Sequence, residues 1–219
     1  MDIIKEQIKH KLPKNAVILT KSEALLTQMS LIANWKPQSE VWSLIHGRGV
    51  LGIAASLSAW YINRRFRRIL KLRSIGQMLS MITLVPGPAI LTTLFHTQII
   101  YDKILLLEMT CPLCLEFRGA LIQSFFGLVV PVLTTPLINF AVVGSGAHNM
   151  PYAYEFKKVL TIVRQVYKPM IPNIALLCIL QALFGGYMTH LQIKSYLRVL
   201  NIHYLVEQEK KPSKVYIEK

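Results

Sequence analysis

Charge is scarce in this chain. Asp, Glu, Lys and Arg make up 16% of its 219 residues, where an average soluble domain carries about 25%. That leaves too few charged side chains to cover a soluble surface. Three cysteines are too few for a disulfide-rich secreted scaffold. Eleven glycines and eleven prolines exclude a collagen-like chain. With 53% apolar residues and a mean hydropathy of +0.40, intrinsic disorder is excluded as well. A membrane protein remains.

The net charge of +14 suits a nucleic-acid binder, but its distribution does not. Basic residues sit between apolar runs rather than along one polar face, as topology signals and contacts to anionic headgroups require. No nucleic-acid partner is expected.

Four stretches have the length that a hydrocarbon core of roughly 30 Å demands: residues 41–62, 78–101, 119–143 and 169–191. None alternates with period two, so helices are predicted rather than a barrel. The expected fold is an all-α bundle of four transmembrane helices. A polar N-terminal segment, 1–40, precedes it and a polar tail, 192–219, follows. In the first span Arg48 sits near the start, where it can snorkel to the interface, and Trp42 and Trp60 mark the two interfaces. Pro86-Gly87-Pro88 should kink or break the second span, and Pro131 and Pro136 the third. Pro169 and Pro172 fall in the harmless first turn of the fourth. Gly52-x-x-x-Ser56, Ala55-x-x-x-Ala59 and Ala182-x-x-x-Gly186 offer small-residue faces for close helix packing. Before the spans, residues 22–34 read as a short amphipathic helix on the membrane or a partner, with Thr20 and Glu23 as its capping box.

The segment 63–77 carries Arg64, Arg65, Arg67, Arg68, Lys71 and Arg73 with no acid, and 144–168 adds Lys157, Lys158, Arg164 and Lys168 against Glu155. By the positive-inside rule these two segments share the cytoplasm- or matrix-like side, and both termini face the other. The opening MDIIKEQIKHKLPK has the features of neither a secretory signal nor a cleavable presequence.

Chemistry is sparse. Cys111-Pro-Leu-Cys114 can be a disulfide, a pair of free thiols, or half of a metal or redox site. No second ligand pair follows it to complete a zinc site. Cys178 reads as a small packing residue. His96 and His190 read as hydrogen-bonded packing residues, and Asp102 and Glu108 as interfacial charges. No span has an acid at its middle and little polar stripe is visible, which argues against a carrier or channel. No metal, cofactor or catalytic residue is expected. The Arg64–Arg73 run either fixes topology against anionic lipid or docks cardiolipin or an acidic partner.

The order of several short features resembles the transmembrane protein 126 family. They are Phe66-Arg67-Arg68-Ile69-Leu70 after the first span, then Cys111-x-x-Cys114 followed by Arg118-Gly119. A third span with Pro131 and Pro136, a basic third loop, and a fourth span running Pro172 to Gln181 and Phe184 complete the series. The resemblance covers residues 45–195, and the Cys pair is closer to the A-type branch. Asn139-Phe140 stands where the family tends to carry Asn-Gly. The resemblance implies a non-enzymatic assembly factor of respiratory complex I in the mitochondrial inner membrane. Its partners would be membrane-arm subunits or the intermediate assembly complex. The basic segments would face the matrix. The termini and the Cys pair would face the intermembrane space, where a disulfide is permissible. An accessory subunit of a finished complex, or a small channel or solute carrier, is the alternative.

Overall fold

The computed structural model describes residues 20–109, 111–143 and 156–210, and every regular element among them is helical. The expectations for residues 1–19, 144–155 and 211–219 lie outside the described residues.

Helix α1, Lys21–Ala33, opens on the expected capping box. The Thr20 hydroxyl accepts from the Glu23 N–H, and the Glu23 carboxylate accepts from the Thr20 N–H at 2.7 Å. Ile32 is buried and Leu25, Met29 and Leu31 are partly buried against Val41, Leu44, Ile104 and Tyr196, so α1 is seated on the end of the chain's own bundle.

Helix α2, Trp42–Ile69, runs through the centre. Leu44, Gly47, Leu51, Ala55, Ala59, Ile62 and Phe66 recur every three or four residues as its buried stripe. The helix continues past position 62 because arginine is a good helix former and Phe66 prolongs the buried face. Half of the expected first loop is therefore helix.

The second apolar stretch is broken as its prolines demand. Helix α3, Gln77–Leu84, gives way to α4, Pro86–His96, at Val85, and the Ser56 hydroxyl donates to the Val85 carbonyl at 3.0 Å. A π-helical turn, Thr97–Tyr101, leads into the short α5, Asp102–Leu105. In the third stretch α6, Pro112–Ser124, passes through a second π turn, Phe125–Val129, into α7, Val130–Val143. That turn adjoins Pro131, whose missing N–H leaves a gap in the ladder.

Helix α8, Phe156–Tyr167, and a turn at Lys168–Met170 feed α9, Ile171–Lys210. The expected polar tail is a correction: 192–210 continues α9, with Gln192, Ile193, Tyr196 and Val199 buried in the bundle. Forty helical residues extend about 60 Å, twice a hydrocarbon core of roughly 30 Å, so one end of α9 must leave the bilayer.

Three stretches, Gln77–Leu105, Pro112–Val142 and Val159–Val206, are long and apolar enough to cross a membrane. They fit a multi-pass membrane protein. Helix α2, at 28 residues, has the length but is not among them. Lipid is as apolar as a protein core, so close packing and hydrogen bonds hold such helices together. The tightest approach is between α6 and α9: a Cβ on Gly185 would lie 2.5 Å from Gln123 Cβ and 2.7 Å from the Gly119 carbonyl oxygen. A Cβ on Gly52 would meet Thr93 Oγ1 at 2.8 Å and the Ala89 carbonyl at 3.3 Å.

Candidate functional site

Polar side chains that look scattered in sequence are gathered into three clusters along α2. At one end the Ser43 hydroxyl donates to Ser195 Oγ at 2.9 Å, and Gln192 Nε2 donates to the Ser43 carbonyl. Gln192 Oε1 accepts from His96 Nε2 at 2.9 Å, which places the His96 proton on Nε2. At the middle Gln123 Nε2 donates to Gln181 Oε1 at 2.6 Å and to the Leu51 carbonyl. Gln181 Nε2 in turn donates to the Ala54 carbonyl and to Ser58 Oγ. The expected lack of a polar stripe thus holds for each span alone but not for the bundle. These groups bond to one another and to backbone carbonyls of neighbouring helices, which pins the register of the helices. The Gln123 Oε1 and the Thr92 and Thr135 hydroxyls are buried without a partner.

The third cluster floors a basic pocket. Arg67 is 5% exposed. Its Nη1 donates to Asn139 Oδ1 at 2.8 Å and to Ser80 Oγ, and its Nη2 to the Arg73 and Ile75 carbonyls. Asn139 Nδ2 donates to Asn63 Oδ1 at 2.8 Å. Every acceptor is neutral, so among the described residues this buried cation has no carboxylate partner. Burial pulls the Arg67 pKa below its ordinary value, yet a guanidinium keeps its proton in a protein.

Above Arg67 lies a cavity of about 660 Å³ lined by Arg64, Arg67, Arg68, Lys71, Arg73, Gln77 and Met81. Helical spacing puts Arg64 and Arg68 on one face of α2. The chain then turns back through left-handed residues, Lys71 (φ 54°), Arg73 (φ 48°) and Gly76 (φ 61°), which places Arg73 and Gln77 opposite. Gly76 is required twice, for its φ and because a Cβ would collide with the Val142 side chain. Five of the six cations singled out in sequence meet here. Arg65 does not: it lies outside the pocket with its Nε buried and unpartnered. Among the described residues no carboxylate pairs with the pocket's cations.

The family model for Transmembrane protein 126 matches residues 24–204. The chain belongs to the transmembrane protein 126 family. It is 32% identical over 211 residues to Transmembrane protein 126 of Drosophila melanogaster, which covers 93% of this chain and 95% of that protein. It is 22% identical over 187 residues to Transmembrane protein 126A of Mus musculus, covering 84% and 92%. No solved structure matches. The matched transmembrane protein 126 region contains the polar clusters and the whole basic pocket.

The other residues singled out in sequence lie elsewhere in this family member. Cys111 caps the N-terminus of α6: its Sγ accepts from the Cys114 N–H at 3.2 Å and lies 2.6 Å from Cys114 Sγ. Both are free thiols. The Cys114 thiol and then its backbone N–H hold the Cys111 pKa below the ordinary thiol value. Cys178, expected to pack, is exposed. His190 Nδ1 lies 2.9 Å from Glu116 Oε1. Gly52 and Ser56 meet α4 and Val85, whereas Ala182 and Gly186 line an open groove of about 930 Å³ between α6 and α9. The Gly119–Gly185 contact was missed in sequence: Gly119 has Leu115 and Gln123 at spacing four, and Gly185-x-x-x-Thr189 was not singled out.

Proposed function

We propose that this protein is a non-catalytic assembly factor of the mitochondrial inner membrane. It holds membrane-arm subunits of respiratory complex I, or the intermediate assembly complex, before the enzyme is complete, as the family resemblance implies. The observation that best supports the reading is the open α6–α9 groove. Its floor is small (Ala120, Ala182, Gly186), its rim is large and apolar (Phe117, Leu183, Tyr187), and it faces outward. Small residues let a second helix backbone approach closely where the hydrophobic effect gives no help. A spanning helix of an unfinished subunit is the occupant of matching chemistry.

In this reading α2 is a fourth span. Arg48 and Arg64 lie sixteen residues apart, about 24 Å along a helix, and both can snorkel to their interfaces. Arg48 sits over the Tyr101 ring at 4.2 Å. Segments 63–77 and 144–168 then face the matrix and the termini the intermembrane space, with α1 as an amphipathic helix at that surface.

The test is affinity purification from gently solubilised mitochondria with complexome profiling, on wild type and Gly186→Leu. A Cβ at Gly186 meets only ordinary contacts, at 3.7 and 3.8 Å, so the variant should insert normally. Wild type should migrate with sub-complexes smaller than mature complex I, and the variant should lose them. Migration chiefly with the finished enzyme would make it an accessory subunit; migration alone as a self-oligomer would make it a channel or carrier.

A further inference from the structure

The basic pocket continues into an apolar trough. The trough, about 630 Å³, is lined on α2 by Gly49, Ile53, Leu57 and Trp60 and on the facing helices by Val85, Ala89 and Leu94. The two cavities have no lining residue in common, but they follow one another along the same helices. On α2 the row 49, 53, 57, 60 runs on to Arg64 and Arg68, and on the facing side Val85 and Ala89 follow Gln77 and Met81 at steps of four. Trp60 lines the trough and carries the Arg64 guanidinium 5.2 Å above its ring, so it joins the two chemistries.

We propose that this groove binds one anionic glycerophospholipid, with its phosphate among Arg64, Arg68, Lys71 and Arg73 and an acyl chain along the trough. Three observations converge on that occupant. Among the described residues the pocket is lined by five cations and no acid, and guanidinium groups match phosphate oxygens in pairs. Arg67 beneath them is a buried cation with neutral acceptors only, so a bound phosphate supplies the missing counter-charge. Met78, Leu79 and Ile82, directly beyond Gln77, are 79%, 57% and 69% exposed, which sets the pocket at the level of lipid headgroups. A soluble anion would use the pocket and leave the trough empty; a neutral lipid would use the trough alone. The inference rests on membrane embedding and not on the assembly reading.

The experiment is native mass spectrometry of the full chain in detergent, titrated with tetraoleoyl cardiolipin or dioleoyl phosphatidylcholine. Wild type should retain one cardiolipin in preference to phosphatidylcholine. Neutralising three cations in Arg64→Gln/Arg68→Gln/Lys71→Gln should weaken cardiolipin about 100-fold and leave phosphatidylcholine unchanged. Gly49→Leu should weaken long-chain cardiolipin while leaving short-chain dihexanoyl phosphatidylglycerol unaffected; a Cβ at Gly49 has no protein atom within 4 Å, so the fold tolerates it. Should the triple variant fail to fold, Arg68→Gln alone, at an exposed position, carries the charge test. Equal retention of the two lipids by wild type, or unchanged cardiolipin affinity in either the charge variant or Gly49→Leu, would overturn the proposal. No complex I component enters the assay, so its failure and that of the assembly reading are separable.

Discussion

Replacing Gly185 with alanine adds one carbon to α9, and the packing dictates what it meets: Gln123 Cβ at 2.5 Å, the Gly119 carbonyl oxygen at 2.7 Å and Ala120 Cα at 3.2 Å. Two of these three atoms belong to the α6 backbone, which no rotamer change can move. Relief requires the helices to separate, and separation pulls on the Gln123–Gln181 hydrogen bond. Overpacking costs about 1–3 kcal/mol, and rigid neighbours put this site near the upper end. Removing a helical glycine returns about 1 kcal/mol of propensity. The expected net destabilisation is therefore about 2 kcal/mol. Gly49→Ala is the matched control: nothing lies within 4 Å of its Cβ, so only the propensity gain of about 1 kcal/mol remains. The same substitution should carry opposite signs at two helical glycines, with a gap of about 3 kcal/mol. Reversible unfolding in mixed micelles with rising dodecyl sulfate, followed by circular dichroism, reads both. If Gly185→Ala proves as stable as Gly49→Ala, the α6–α9 contact does not exist as described.

Gln181→Leu removes the partner of Gln123 and Ser58 and should cost about 1–2 kcal/mol in the same assay; Gln123→Leu/Gln181→Leu should cost less than the sum of the single changes. Cys111 should alkylate with iodoacetamide at lower pH than an ordinary thiol, because Cys114 hydrogen-bonds its sulfur. Cys114→Ala should move that titration up, and an unmoved profile would remove the thiol contact as its cause. Glu23 is held below its ordinary pKa, first by the Thr20 N–H and then by the Thr20 side chain. A depressed folded-state value means its contribution to α1 is complete above the unfolded carboxylate range and is lost as pH falls through the folded value. Hydrogen exchange in the first turn of α1 should show that acid step in wild type and lack it in Glu23→Ala.

What was legible in sequence was local. The apolar stretches, the break at Pro86-Gly87-Pro88 and the Thr20–Glu23 cap each depend on neighbours a few positions apart. Helix ends were harder. Arginines 64 to 68 read as loop because they are charged, yet arginine favours helix and Phe66 extends the buried face. Ile193, Tyr196 and Val199 carried a helical spacing in the supposed tail, hidden by Lys194 and Arg198. The basic cluster was visible as a run, but not the inward turn of Arg67, which follows from its place one position beyond Phe66 on the buried stripe. The polar clusters could not be read, since Ser58, Gln123 and Gln181 sit on three different helices and only tertiary packing brings them together.

The pairing of Arg67 with Asn139 gives biogenesis an order. The two residues are 72 positions apart, so a nascent chain delivers α2 and α3 to the bilayer well before α7 exists. During that interval the guanidinium has only Ser80 and two carbonyls of its own loop to hold it, and the Asn63 carboxamide oxygen waits for its donor. Arrival of α7 closes both bonds at once. The floor of the basic pocket is thus completed only when the third apolar stretch is in place, and an early hairpin is a distinct species from the finished bundle.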